Sequence, residues 1–509
     1  MEPADIGKTF RRLDYETKVT GRAQYLADMS VPGMCHGKIL RSPFPHARIL
    51  RINAANALKV PGVVAVITRD DILKDEGIDP YYGPVFKDQT IVAVDKVRHV
   101  GDPVAGVAAL EPEAAEEALQ KIEVEYEELP AILDVYEALK KGAPLLHETI
   151  RLPESGFADL AEIRPVEGTN ICTHFKLRKG DVEKGFAESD YIFEDTFTLP
   201  ATQHSFLETH ACIASVDGSG RITVWSTTQN PFVVRTQLSN IFKVPVPLVK
   251  IQVLGVDTDA VPYDLTTSSS RSTFHMGKAV QLAAEDIKNQ LKQIVVQEYG
   301  IPAENVEFVE GRIRLPETTL DYKEVLFKRF GMQGGTLVGQ GHVKTKVTDR
   351  EGRKTTSAFW FLGAGAAEVE VDCETGKIKL LKYATAVDVG KAINPLGCRQ
   401  QLAGAAITGM GQALFEEIVF DNGQVINPNF VDYVLPAPGD MPDVIEPILV
   451  EIPHKEGPFG AKGIGETALI PVAPAIANAV FDAVGVRVRD LPIKAEKIFL
   501  ALEEVGKEP

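Results

Sequence analysis

The sequence predicts an α+β protein built from several domains. Three observations carry this expectation. The chain has 509 residues, 44% hydrophobic and 25% charged, which is enough apolar material for more than one large core. Short strand-like runs dominate its first quarter, around one stretch of helix formers. Long helices with clear start and stop signals, set among separate strand runs, fill the remainder.

Residues 1–135 read as a mixed α/β unit. Residues 37–40, 63–67 and 104–108 are short apolar runs of strand length. Residues 111–122 have helical spacing and acidic residues in the first turn, and 122–126 returns to strand character. Residues 136–189 carry Pro144, Pro153 and Pro165 and read as a connection. A new unit starts near Asp190. Asp217-Gly-Ser-Gly220 is a hairpin turn, and 221–226 is the strand that leaves it. Asn230 reads as a helix N-cap, with Pro231 as the first helical residue. Residues 245–254 read as another strand. Residues 263–274 hold seven Ser and Thr hydroxyls, a composition that suits either a polar pocket or a plain surface loop. Residues 278–299 form a helix with Leu282, Ile287, Leu291 and Ile294 on its apolar face and Gly300 at its end. Strands are expected at 339–347, 363–371 and 377–387. A helix is expected from Asn394-Pro395 to Leu414 and another over 475–484.

The chemistry concentrates in Gly457-Pro-Phe-Gly-Ala-Lys-Gly-Ile-Gly-Glu466. Its glycines and alanine let the backbone approach another group closely. A carboxylate at the tip of such a loop, facing a cavity, can act as a base. The same carboxylate also suits the positive end of a following helix. Walker A fails here, because Ala461 precedes Lys462 and Gly463 follows it. The dinucleotide fingerprint fails as well, because the strand near 448–452 ends well before Gly463. Gln229, beside a helix start, suits an anionic or oxo group or simply a solvated loop.

A formal charge of −17 argues against nucleic acid or an anionic membrane as partner. The five cysteines, Cys35, Cys172, Cys212, Cys373 and Cys398, form no Cys-x-x-Cys pair. An iron–sulfur cluster or structural zinc is therefore not expected in this chain. Scattered cysteines, no signal peptide and no apolar run of membrane length suggest a reducing, cytoplasmic setting.

Several motifs, in order, resemble one family. Arg41-Ser-Pro-Phe-Pro-His-Ala-Arg-Ile49 and Val100-Gly-Asp-Pro-Val104 resemble an N-terminal hammerhead domain. Ser226-Thr-Thr-Gln-Asn-Pro231, Ser269-Ser-Arg-Ser-Thr273, Asp388-Val-Gly-Lys-Ala-Ile-Asn-Pro395 and Gly463-Ile-Gly-Glu466 resemble cofactor-binding segments. The family is that of the molybdopterin-binding large subunits of xanthine dehydrogenase/aldehyde oxidase hydroxylases. The resemblance implies a hammerhead domain over 1–135, a connection over 136–189, a partial first molybdopterin-binding domain over 190–256 and a second over 257–509. It implies Glu466 as catalytic base. It places Gln229 at the molybdenum oxo group, and Ser270, Arg271, Ser272, Thr273, Gln401, Lys462 and Gly463 on pterin or phosphate. The molybdenum would be held through the pterin dithiolene and not by protein ligands. The implied cofactor is molybdenum–molybdopterin in the cytosine dinucleotide form, with 2Fe–2S and FAD on partner subunits. The implied substrates are electron-poor carbons of N-heterocycles, purines, aldehydes or aryl-thioesters.

One departure stands out. The Gly-Gly-x-Phe-Gly-Gly-Lys loop that follows the glutamine loop in this family is missing, and Gly334-Gly335 is the sole Gly-Gly pair. The run 245–254 passes straight into Asp257-Thr-Asp-Ala-Val-Pro-Tyr-Asp264, which resembles a later segment. A central block is absent, with a joint near Gly255–Asp257. Three outcomes follow. Another chain supplies the block, the protein is a non-catalytic remnant or assembly subunit, or the chain folds poorly around an interrupted core.

Overall fold

In the computed structural model, residues 5–152, 163–176, 178–253, 256–344 and 357–505 are described. The N-terminal unit holds two three-stranded sheets. In the first, Pro103–Ala109 lies between His36–Arg41 and Val63–Ile67. In the second, Ala47–Asn53 lies between Lys96–Val97 and Glu123–Glu128. All of these pairings are antiparallel, so among its described residues the unit has no parallel strand–helix–strand crossover. The helix Pro112–Gln120 covers the first sheet. Its Ala115 and Ala118 pack against Ala105, Val107 and Ala109. Small side chains on both faces bring helix and sheet close together.

The second unit is a four-stranded sheet in the order Val256–Asp257, Val249–Val253, Ile222–Ser226, Cys212–Val216. The turn at 217–220 closes as expected, with Gly220 N–H donating to the Asp217 carbonyl and Gly220 at φ 82°. Ile222–Ser226 and Val249–Val253 run parallel, joined by the helix Pro231–Ile241. The expected strand over 245–254 begins only at Val249, because Pro245 and Pro247 lack the N–H a ladder needs. Leu254 and Gly255, part of the joint, lie outside the described residues. On either side of it the chain closes into a hairpin, with Val253 paired to Val256 and Gln252 to Asp257. Lys250 pairs with Asp257, and the Ile251 N–H donates to Thr258 Oγ1. The ends of the joint are satisfied, so this sheet does not stop at a torn edge.

The expected helix at 278 starts earlier, at Ser272, and runs 28 residues to Tyr299. The last hydroxyls of the Ser/Thr-rich segment are therefore its first turn. Gly300 takes the left-handed conformation at φ 65° and ends it. Its C-terminal half packs on an unforeseen three-stranded meander, Glu307–Val309, Arg312–Arg314 and Thr319–Asp321, and on the helix Tyr322–Phe330. The expected strand at 339–347 is absent over its described part, 339–344. There Gly339 and Gly341 lie against the Ala283 and Ala279 carbonyls of the long helix, which leaves no room for a paired neighbour.

The C-terminal unit centres on Ile378–Asp388, paired antiparallel with Gly363–Val371 and parallel with Val444–Val450. The helices Pro395–Leu414, Val472–Val484 and Ala495–Val505 share one core, which includes Tyr383, Met410, Val472, Ile476 and Ile498. At Gly409 an added Cβ would sit 2.5 Å from Val472 Cβ, so the two helices touch through a missing side chain. Gly409→Ala gains helix propensity but overpacks this contact. The expected net loss is about 1–2 kcal/mol, read as a lower urea unfolding midpoint.

Candidate cofactor cavity and base

Three loops meet at one cavity of about 740 Å³. The first runs through Thr267 and Ser268 into the helix Ser272–Tyr299. The second runs from Val389 through Asn394 into the helix Pro395–Leu414. The third is 461–466. Gln229 and Phe206 complete the lining. Of the residues singled out from sequence, Glu466, Gln229, Ser270, Arg271, Ser272, Thr273, Gln401 and Lys462 all face this space. Gly463 stands just behind it. A Cβ there would overlap the Ser270 carbonyl oxygen, so only glycine lets the two loops touch.

Glu466 is tied to the first loop. Its backbone N–H donates to Ser270 Oγ at 2.9 Å, and Ser270 Oγ lies 3.4 Å from Glu466 Oε2. Ser269 and Ser270 hold left-handed φ values of 52° and 53°, uncommon for serine. Gln401, in the second turn of its helix, donates through Nε2 to the Gly465 carbonyl at 2.8 Å. Thr267 N–H donates to the Gln229 carbonyl. The carboxylate and its neighbours are thus set by hydrogen bonds between segments far apart in sequence.

Lys462, expected on pterin or phosphate, also takes part in a buried ion pair. Its Nζ lies 2.6 Å from Asp388 Oδ2 and also donates to the Trp360 carbonyl. Both side chains of the pair are under 10% exposed. Asp388 also accepts from the Gly390 N–H. Burial pushes the Asp388 carboxyl up, but the hydrogen bond from Lys462 and those from Gly390 and Ile452 outweigh it. The group ends below the usual carboxylate range. His454 nearby is pushed down by burial and then by the Lys462 cation, which favours the neutral ring. Sequence reasoning marked the Asp388 motif but not this pair, since its partners stand 74 residues apart.

The lining suits an organic cofactor bearing phosphate. The helix Ser272–Tyr299 starts at the cavity without a side-chain cap, so its first N–H groups remain available. Ser270, Ser272 and Thr273 add hydroxyls there, and Arg271 adds a cation with no ion pair among the described residues. A second helix start, at Pro395, opens onto the same space through Gly397 and Cys398. Among the described residues no group of three or more His, Cys, Asp or Glu side chains could hold a metal. A metal in this cavity would therefore arrive with its own ligands.

Fold and cavity define a multidomain subunit with room for a large anionic ligand beside a carboxylate. Residues 176–442, just over half of the chain, match the family described as "Molybdopterin cofactor-binding domain". Residues 20–130 match "Aldehyde oxidase and xanthine dehydrogenase, a/b hammerhead domain". The chain belongs to the molybdopterin-binding large subunits of the xanthine dehydrogenase family of oxidoreductases. It is 24% identical to a probable xanthine dehydrogenase subunit of Bacillus subtilis (strain 168), over 97% of this chain and 98% of that one. It is 33% identical to the nicotinate dehydrogenase large molybdopterin subunit of Eubacterium barkeri, over 48% of this chain and about half (52%) of that protein's length. The fold is also that of a Cu,Mo-CO dehydrogenase chain, at a TM-score of 0.84 and 19% identity over 99% of each chain. The Bacillus alignment runs over 755 positions, 246 more than the 509 residues here. At least that many positions of the relative have no counterpart in this chain.

Proposed function

We propose that this chain is the molybdenum-cofactor-binding catalytic subunit of a hydroxylase acting on an electron-poor carbon, with oxygen drawn from water. An N-heterocycle, purine, aldehyde or aryl-thioester would supply that carbon. The observation that carries this reading is the convergence of Glu466, Gln229, Gln401 and Ser270–Thr273 on one cavity. When bound, the cofactor supplies two-electron redox chemistry and activates water.

The chain's own residues do the rest. Ser272, Thr273 and the first N–H groups of their helix bind phosphate or pterin oxygens, and Arg271 balances the charge. Gln229 and Gln401 present amides to the cofactor's polar edge. Glu466 Oε2 accepts the proton released during attack, and Ser270 Oγ holds that carboxylate in place. Lys462, with its charge already paired to Asp388, anchors the loop, and Gly463 lets it approach Ser270. The reading keeps the domain division expected from sequence: hammerhead over 1–135, connection over 136–189, and two cofactor-binding portions over 190–256 and 257–509. The reading includes the cytosine dinucleotide form of the cofactor, 2Fe–2S and FAD carried by partner subunits, and a cytoplasmic setting, the last supported by five unpaired cysteines.

A second reading is a non-catalytic remnant or assembly subunit. It draws on the exposure of Gln229, Gln401 and Glu466 and on the missing block. Elemental mass spectrometry on the chain, purified with its partner subunits, separates the two. The expected result is about one molybdenum per chain, with cytidine monophosphate released on acid hydrolysis. A metal-free, pterin-free complex would establish the remnant.

A further inference from the structure

Residues 191–199 carry a strand pattern without a sheet. Tyr191, Phe193, Phe197 and Leu199 fall on one face of an extended Tyr-Ile-Phe-Glu-Asp-Thr-Phe-Thr-Leu, interrupted there by Asp195, which pairs with Arg489. Yet they are 82%, 91%, 65% and 76% exposed. The segment's one β-bridge among the described residues joins Thr198 to Asp490. A strand that shows aromatic side chains and unpaired backbone to solvent is a template for another strand.

The ribbon leads directly to the cavity. The Ala201 carbonyl accepts from Ile418 N–H, and Gln203 N–H donates to Tyr433 Oη at 2.7 Å. Phe206, five residues beyond Ala201, lines the cavity itself. Phe430 and Val431, just before Tyr433, add two more exposed apolar side chains, at 69% and 85%. On the cavity side, Gln229, Gln401 and Glu466 are exposed as well.

The Bacillus relative indicates the kind of occupant. It matches this chain from end to end, so its 246 or more extra positions lie within the matched span and not beyond its ends. Meanwhile the hairpin at 249–257 is closed by its own hydrogen bonds. We propose that a separate polypeptide, equivalent to those absent positions, docks along 190–207 by strand addition and closes the cofactor cavity. Its docking face carries an apolar strand that covers Tyr191, Phe193, Phe197 and Leu199. This inference rests on the cofactor reading of the cavity.

The test places a benzophenone amino acid at Phe193 or at Phe197 in the chain produced in its native host, with a control at exposed Leu58. Irradiation should give one covalent adduct from 193 and 197 and none from 58. Peptide sequencing should show that the captured chain aligns with positions of the Bacillus relative missing here. The double variant Phe193→Asp/Phe197→Asp should release that chain, read as a loss of mass by light scattering. No adduct, an adduct to a second copy, or an adduct to an iron–sulfur or flavin subunit overturns the proposal. Metal content is measured on the same samples. An adduct without molybdenum keeps the docking and removes the cofactor reading, and molybdenum without an adduct does the reverse.

Discussion

Glu466→Gln is expected to lower kcat of the assembled enzyme by roughly 10²–10⁴-fold, the usual contribution of a positioned base. The variant is nearly isosteric. Its backbone N–H still donates to Ser270 Oγ, and its side-chain carbonyl can still accept from that hydroxyl. Gln401 is held by the Gly465 carbonyl and not by the Glu466 side chain, so the cavity wall stays as it is. Molybdenum content and KM should therefore change little while turnover collapses. Such a split between kcat and KM means that an interaction made only in the transition state has been removed. Unchanged turnover would remove Glu466 from the chemistry and leave it as a dipole partner of the following segment. Loss of the metal together with turnover would make it part of the binding wall.

Asp388→Ala should be the most damaging change to stability near the site, at about 3–5 kcal/mol, because it strands the buried Lys462 ammonium without a partner. It also removes the acceptor for the Gly390 N–H, where the chain turns at φ 67° against the Gly460 carbonyl. Asp388 also carries a pH signature. Its folded pKa lies below the ordinary carboxylate value of about 3.9. A depressed folded pKa contributes stability that is fully present above the unfolded value and is lost as pH falls through the folded one. The wild-type chain should keep this contribution at neutral pH and lose it only below about pH 4. The Asp388→Ala chain should lack that acid limb. Urea midpoints of both proteins between pH 3 and pH 7 make the comparison. Parallel curves would show that the pair does not govern the loop's stability.

Much of the fold was legible because its signals are local. The strands near 37–40, 63–67 and 104–108, the hairpin turn at 217–220, the helix opening at Asn230-Pro231 and the helix from Asn394 to Leu414 all appear where residue spacing and capping chemistry put them. The meander between 307 and 321 escaped notice because its strands are three residues long, too short for a two-residue period to register. The Ser/Thr-rich segment read as either pocket lining or surface loop, with no helix in it, because hydroxyls compete for backbone hydrogen bonds. The final two belong to a helix start, the one place in a helix where hydroxyls are favoured.

The candidate site was legible for a different reason. Glu466, Gln229, Ser270 and Gln401 were marked one motif at a time, and the folded chain brings them to a single cavity. Contacts that depend on two distant segments escaped sequence reasoning. Nothing local to Lys462 announces that Asp388 neutralises it, nor does anything near Phe206 announce that it forms part of the wall. The residue identities were there to read, but their pairing was not.

The hairpin at 249–257 has a consequence for how this chain could be re-engineered. Because Val253 faces Val256 across an antiparallel pair, a polypeptide spliced between them would depart and return at adjacent points of one sheet edge. Neighbouring entry and exit points are the condition under which a whole domain can be inserted without rebuilding its host. The joint is therefore a ready-made port. The sequence of the docking chain proposed above could be transplanted there as a cassette, joining the two into one chain whose closure would not depend on protein concentration.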